Sequence, residues 1–200
     1  MGFVDGFSAF LHSSGAVKFG DFELSGGGRS PYYFDLRSVP SHPHQFRGMI
    51  RGLLDSVISE VGLDRFDTLA SIPTGGLVVA SALAIEAVKP LVYARAAAKG
   101  HGTGRTVEGI VRYGARALII DDVATTGGSV IRAAESLRAA GAIVTDAFVV
   151  IDRMEGAEGR LGAEGIKLHR LAGALEVARS LHAAGLIPGD VMRQVEGRTR

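Results

Sequence analysis

Residues 117–130 read Ala-Leu-Ile-Ile-Asp-Asp-Val-Ala-Thr-Thr-Gly-Gly-Ser-Val. The run Ala117–Ile120 has the length and branched composition of a buried parallel strand, and the reading predicts that it stops at the adjacent carboxylates Asp121 and Asp122. Hydroxyls and glycines follow (Thr125, Thr126, Gly127, Gly128 and Ser129), leading into a predicted helix from Val130 to Ala140. Glycines that open a helix let backbone N–H groups converge on an anion at the positive end of the helix dipole. Two carboxylates beside such a cradle would repel a bare phosphate. The conflict disappears if the ligand also offers hydroxyls, a cation, or both, as a phosphorylated sugar with a metal ion does. Turn and capping needs alone place Gly, Ser and Asp in strand-to-helix loops. Their ordered combination at the carboxyl end of a buried strand is what marks a ligand site in an α/β sheet.

Commoner phosphate loops are not present. The sequence contains no G-x-x-x-x-G-K-[ST] and no G-x-G-x-x-G after a strand, so neither a P-loop nor a Rossmann dinucleotide site is supported.

Outward from this stretch, strands and helices alternate. Phe46, Met49, Ile50, Leu53, Leu54, Val57, Ile58 and Val61 recur at helical spacing, with Ser41 as a candidate cap and Pro43 in the first turn. Strands are predicted at 66–72, 91–94, 142–152 and 167–171. Pro73-Thr74-Gly75-Gly76 opens an alanine-rich helix to about Val88, and another helix runs from Ala174 to near Gly185. This order predicts an α/β fold with a parallel sheet flanked by helices. Residues 97–109 hold little apolar content and four glycines and read as a mobile loop. Before Ser41 come a short helix and extended pieces at 18–24 and 32–36, read as a small hood over the ligand end of the sheet.

Two hundred residues suit one domain, 1–200, in which 1–40 and C-terminal elements form the hood. A net charge of +1 with 46% hydrophobic residues gives no sign of disorder or of a nucleic-acid surface. Lysines are few (Lys18, Lys89, Lys99 and Lys167), and cysteine is absent, which excludes thiol chemistry. The start, 1–17, does not read as a signal peptide, and no stretch reaches membrane-spanning length, so a cytoplasmic protein is expected.

Four stretches, taken together, resemble the orotate phosphoribosyltransferases, a branch of the type I phosphoribosyltransferases. The Asp-Asp…Thr-x-Gly loop resembles the family's phosphoribosyl-pyrophosphate loop. Arg95…Lys99-Gly-His101-Gly-x-Gly…Glu108-Gly109 resembles its catalytic loop. Phe22-Glu-Leu-Ser-Gly-Gly-Gly-Arg-Ser-Pro-Tyr-Tyr-Phe-Asp-Leu-Arg37 resembles its amino-terminal signature, and Ile151-Asp152-Arg153 ends a predicted strand as in that family. The stretches keep the family's order and span about two-thirds of the chain, from Phe22 to Arg153. The resemblance implies a type I fold with an N-terminal hood and transfer of the 5-phosphoribosyl group from phosphoribosyl pyrophosphate to orotate. The products would be orotidine 5′-phosphate and pyrophosphate, in de novo UMP synthesis.

The resemblance also implies residue roles. Arg95, Lys99, His101 and the loop Asp121, Asp122, Val123, Ala124, Thr125, Thr126, Gly127, Gly128 and Ser129 would bind phosphoribosyl pyrophosphate. Within that set, the two acids would meet ribose hydroxyls and Ala124 to Ser129 the 5-phosphate. Lys99 is the first choice for the catalytic residue. Tyr33, Thr125 and Arg153 would bind orotate, the planar guanidinium suiting a carboxylate. Mg²⁺ is the implied cofactor, held mainly through substrate and water. A homodimer with shared active sites is the implied assembly. Three positions depart from the lysine frequent in bacterial members, Ser25, Gly75 and Ala96, and Arg29 or Arg105 could substitute. A phosphoribosyltransferase for uracil or a purine remains open, as does a regulator that only senses phosphoribosyl pyrophosphate. His12, His42, His44, His169 and His182 join no recognised constellation.

Overall fold

The computed structural model describes residues 2–23, 29–95 and 106–199. In chain order the elements are α1 (Phe3–Ser13), β1 (Val17–Glu23), β2 (Arg29–Phe34), a 3-10 helix (Leu36–Ser41), α2 (Pro43–Glu60), β3 (Thr68–Ser71), α3 (Gly75–Ala87) and β4 (Leu91–Ala94). There follow β5 (Val107–Glu108), β6 (Arg116–Ala124), α4 (Gly128–Ala139), β7 (Ile143–Asp152), α5 (Ala157–Ala163), β8 (Lys167–Gly173), α6 (Ala174–Ala183) and α7 (Gly189–Arg198).

The main sheet has the order β5-β4-β3-β6-β7-β8. Strands β4, β3, β6, β7 and β8 run parallel, and only β5 is antiparallel, against β4. Side chains alternate across the central strands. Leu118, Ile120, Phe148 and Val150 join the core beneath α2, α3 and α6, while Ala117, Ile119, Ala147 and Val149 join the core beneath α4 and α5. Burying each of the larger side chains contributes roughly 1.5–3 kcal/mol. Both faces being covered explains why these strands read as continuous apolar runs rather than as alternation.

Three sequence expectations change. The strand carrying the two acids does not stop at Asp121: β6 continues to Ala124, pairing Asp121 with Val149, Val123 with Ile151 and Ala124 with Asp152. Its other neighbour, β3, pairs only as far as Ser71 with Ile120. The acids therefore belong to a strand with one open edge. The cap of α2 also differs. Ser41 closes a 3-10 helix, His42 takes the N-cap position without a side-chain bond, and Pro43 supplies the first turn. Part of the predicted mobile loop, Val107–Glu108, is the edge strand β5; the rest of that loop, with Lys99, His101 and Arg105, lies outside the described residues.

The hairpin β1–β2, α1, α6 and α7 form a layer at one end of the sheet, α1 packing on α6 and β2 against α7. At the opposite, amino end of β7 and β8, His169 is buried with both ring nitrogens facing carboxylates: Nε2 lies 2.8 Å from Asp146 and Nδ1 3.1 Å from Glu60. Its ring stacks on Phe148 at 5.6 Å. A leucine there would keep the volume but strip two carboxylates of their partner. His169→Leu is expected to lower unfolding free energy by about 2 kcal/mol, read from the urea midpoint. An unchanged midpoint would show that the bridge between α2, β7 and β8 adds nothing.

Candidate active site

The chain passes from β3 to β4 in one direction and then crosses back past β3 to lay down β6, β7 and β8 in the other. The carboxyl ends of β3 and β6 thus form a topological switch point, where open α/β sheets bind ligands. β3 leads through Pro73-Thr74, joined by a cis peptide, into Gly75-Gly76 at the start of α3. β6, which carries the two acids, leads through Thr125-Thr126-Gly127 into Gly128-Ser129 at the start of α4.

The two acids are not equivalent. Asp121 is buried, its Oδ1 accepting from the Asp122 backbone N–H at 3.0 Å and its Oδ2 from the Ser129 hydroxyl at 3.3 Å. Burial foremost, and then the neighbouring Asp122 charge, pushes the Asp121 carboxyl well above the usual carboxylate range. Asp122 is half-buried and faces the β3 loop. Ser71 supports the floor by donating to the Ile120 carbonyl at 2.7 Å.

Glycine at 75 and 76 follows from this packing. A Cβ on Gly75 would overlap the Asp122 carboxylate, and one on Gly76 would overlap the Asp121 carboxylate and stand 3.0 Å from the Asp121 Cα. The lysine absent at Gly75 therefore has no room for even its first carbon in this arrangement. Neither α3 nor α4 has a side-chain cap at its N-terminus. The Leu77 N–H of α3 donates to the Ile72 carbonyl at 3.1 Å, while the amides of Gly75 and Gly76, and of Gly128 and Ser129 in α4, have no acceptor among the described residues. Gly127, with φ of 74°, makes the turn into α4, and a Cβ there would press on Leu161 at 3.1 Å.

Of the expected phosphoribosyl-pyrophosphate residues, Asp121, Asp122, Val123, Ala124, Thr125, Thr126, Gly127, Gly128 and Ser129 form one continuous rim of the crevice. Arg95 stands at the end of β4, its Nη1 donating to Glu108 of β5 at 2.8 Å. Lys99 and His101 lie outside the described residues. Arg29, a candidate replacement for the missing lysines, is paired with Asp21 in its own hairpin and lines a cleft against Gln194, Gly197 and Arg198 of α7. Arg37, in the 3-10 helix, is paired with Asp35, its Nε donating to Oδ1 at 2.7 Å and its Nη2 to Oδ2 at 2.8 Å. The Asp35 carboxylate foremost, with Tyr33 and Asp122 adding, holds the Arg37 guanidinium above its ordinary value. No role follows for Arg37 from the sequence alone.

Of the expected base-binding residues, Thr125 lies in the loop and Arg153 beside it, whereas Tyr33 lies on the face of β2 opposite the buried Ser30, Tyr32 and Phe34. Arg153 follows β7 directly, and its backbone N–H donates to the Ala124 carbonyl at 2.9 Å. The side chain is buried beneath the hood, its Nη2 donating to Ser30 Oγ at 2.8 Å and to Glu155 at 2.7 Å, while its Nε has no acceptor among the described residues. Tyr33 lies half-buried 5.8 Å from the Phe22 ring, with its hydroxyl 3.5 Å from Arg37. The neighbour, Tyr32, is the ring beneath the Arg153 guanidinium, at 5.0 Å. The burial alternation of β2 puts Ser30, Tyr32 and Phe34 on the inner face. Period-two counting through Ser30-Pro-Tyr-Tyr-Phe could have singled out Tyr32.

Comparison with known proteins agrees with this geometry. Residues 44–161 match the phosphoribosyl transferase domain family. The chain is 44% identical over 155 residues to the orotate phosphoribosyltransferase of Pyrococcus furiosus, covering 78% of this chain and 84% of that one. The crystal structure of orotate phosphoribosyltransferase from Aeropyrum pernix superposes with a TM-score of 0.79 at 37% identity, covering 91% of this chain and 99% of that one. The structure of Leishmania donovani UMP synthase superposes with a TM-score of 0.85 at 30% identity; 98% of this chain is covered, and it spans 42% of that longer chain. No helix among the described residues is long and apolar enough to cross a membrane. The crevice of paired acids, glycine loops and a sequestered arginine lies within this match, and the chain belongs to the orotate phosphoribosyltransferases of the phosphoribosyltransferase family.

Proposed function

We propose that the chain joins orotate to phosphoribosyl pyrophosphate, releasing pyrophosphate and forming orotidine 5′-phosphate in de novo UMP synthesis. The observation that carries this reading is the placement of Arg153, a buried guanidinium whose Nε has no acceptor among the described residues, against the loop of Asp121 to Ser129. A phosphate cradle alone would suit any phosphoribosyl ligand. Beside it, an arginine whose Nη2 is held by Glu155 and Ser30 presents a planar donor fork suited to a carboxylate or carbonyl oxygen of the base. Of the candidate bases, orotate alone carries a carboxylate.

In the reaction a ring nitrogen of orotate bonds to the anomeric carbon as the bond from that carbon to the pyrophosphate oxygen breaks, with inversion. Positive charge grows on the ribose and negative charge on the leaving group. Catalysis then depends on alignment and on neutralising the leaving group more than on a strong base. Asp122, and Asp121 behind it, hold the ribose hydroxyls. The uncapped amides and hydroxyls of Ala124 to Ser129 hold the 5-phosphate. Arg153 and Thr125 orient the base, while Tyr33 helps line its pocket. Arg95, Lys99 and His101 complete the pyrophosphate site, with Lys99 as the catalytic residue.

Magnesium fits this donor set. Asp121 and Asp122 put hard oxygen donors at the ribose end of the site, and the ion would be held mainly through substrate and water oxygens. When bound, the ion supplies charge neutralisation for the departing pyrophosphate. The homodimer and a cytoplasmic location complete the proposal. The bare side chains of Ile85 and Val88 at the end of α3 and of Ile110 and Tyr113 before β6 support an assembly that covers apolar surface.

The experiment offers orotate, uracil, adenine and hypoxanthine separately with labelled phosphoribosyl pyrophosphate. Turnover of orotate alone is expected; turnover of another base without orotate would overturn the assignment. Binding of phosphoribosyl pyrophosphate with no base turned over would instead favour a sensor. Lys99→Ala is expected to reduce kcat at least about tenfold with orotidylate affinity unchanged, and an unaltered kcat would remove Lys99 from the mechanism.

A further inference from the structure

Glu155 occupies a place the reaction scheme leaves unexplained. Two residues beyond Arg153, its Oε1 accepts from Arg153 Nη2 at 2.7 Å and from the Tyr32 hydroxyl at 2.9 Å. Its Oε2 lies 3.4 Å from Arg198 Nη2, in the last turn of α7. The Arg153 and Glu155 side chains are only 6% and 8% exposed. Charges so enclosed are tolerated only when each is paired and further hydrogen-bonded, and here donors from β2, the β7–α5 turn and α7 converge on one carboxylate.

The local backbone is shaped for this meeting. Asp152 Oδ1 accepts from the Met154 N–H at 2.8 Å, and Met154 itself adopts a left-handed φ of 58°. An uncommon conformation for a side-chain-bearing residue is retained where the surroundings require it. In this turn it lets Arg153 and Glu155 approach each other. Tyr32 remains a donor: burial foremost, with the Glu155 carboxylate adding, raises its phenol well above the ordinary value. The Glu155–Arg198 pair borders a cleft of about 570 Å³ whose further lining includes Thr126 of the phosphate loop.

We propose that Glu155 is a positioning residue of the base site and Arg198 its anchor, so that the C-terminal helix fixes the guanidinium of Arg153 for an anionic base. The proposal rests on Arg153 being the orotate-binding arginine. Glu155 and Ser30 together secure the Nη2 end of the fork, leaving Nε as a buried donor with no acceptor among the described residues. Glutamine at 155 would offer one acceptor oxygen and one NH₂ group. The Tyr32 hydroxyl could fall back on the Arg153 carbonyl, 3.0 Å away, but one amide oxygen cannot serve both Arg153 and Arg198, and the NH₂ group would face the other guanidinium.

Steady-state kinetics on the full chain test this, with each substrate varied in turn. Glu155→Gln is expected to raise the KM for orotate roughly tenfold with the KM for phosphoribosyl pyrophosphate within about twofold of the parent. Arg198→Met, at a partly exposed position, is expected to raise it about threefold with the same selectivity. Arg153→Lys, which keeps the charge and loses the planar fork, serves as the reference. An unchanged orotate KM in Arg153→Lys would overturn the base-site reading itself. A raised value there, with unchanged values in Glu155→Gln and Arg198→Met, would overturn the positioning role alone. So would parallel rises in both KM values, the signature of a structural defect. If Glu155→Gln does not fold, Arg198→Met decides the matter by the same criteria.

Discussion

Asp121→Asn is expected to melt at a higher temperature than the parent chain while transferring phosphoribosyl groups about a hundredfold more slowly. The two effects share one cause. The folded state raises the pKa of the Asp121 carboxyl, chiefly by burial and then by Asp122. A carboxyl that holds its proton more tightly when folded is ionised at a cost to the fold. Stability therefore falls as pH rises above the ordinary value of 3.8, and the full penalty is present once pH passes the folded pKa. Asparagine removes that penalty yet keeps an oxygen for the Asp122 N–H and an NH₂ group for Ser129. It cannot supply the negative charge offered to the ribose as positive charge grows there. The parent's thermal midpoint should accordingly exceed its neutral value at mildly acidic pH, before other carboxylates protonate, whereas that of Asp121→Asn should not. A variant that melts lower and is fully active would contradict both arguments.

Gly76→Ala is expected to reduce kcat/KM for phosphoribosyl pyrophosphate about a hundredfold, and Gly75→Ala clearly less. The added carbon at Gly75 meets only the Asp122 carboxylate, which can rotate aside. At Gly76 it meets the backbone of β6 at Asp121 and the Ser71 hydroxyl at 3.1 Å, so the loop itself must withdraw. A displacement of about 1 Å between the β3 loop and the acids is enough for a loss of this size. Equal, small effects at both positions would show that the two loops are not in register as described. Lysine at Gly75 should not add a useful cation, because its stem displaces Asp122 before its charge arrives.

What the sequence disclosed and what it concealed divide along physical lines. The apolar runs at Leu118–Ile120 and 147–151 announced buried strands because both faces of the sheet are covered. The Asp-Asp-Val-Ala-Thr-Thr-Gly-Gly-Ser order announced the ligand end because a phosphate loop must follow such a strand closely. The end of β6 was misjudged because carboxylates resemble a strand terminator, whereas here pairing to β7 carries the strand on to Ala124. Edge strand β5, two residues long, leaves no periodic signal. Helices α5 and α7 were missed because both are short and polar. Tyr32 and Glu155 were overlooked for a different reason. Their importance comes from contacts with Arg153 across 121 residues or around a left-handed turn, and spacing does not report such contacts.

The central claim is that the crevice at the ends of β3 and β6 joins a phosphoribosyl group to orotate. The loss of orotate absorbance on adding phosphoribosyl pyrophosphate tests it most directly, with and without magnesium. The account predicts a loss that requires phosphoribosyl pyrophosphate, is accelerated by magnesium, and reverses when pyrophosphate is added to orotidine 5′-phosphate. Unchanged orotate absorbance in the presence of both substrates and the metal would contradict it.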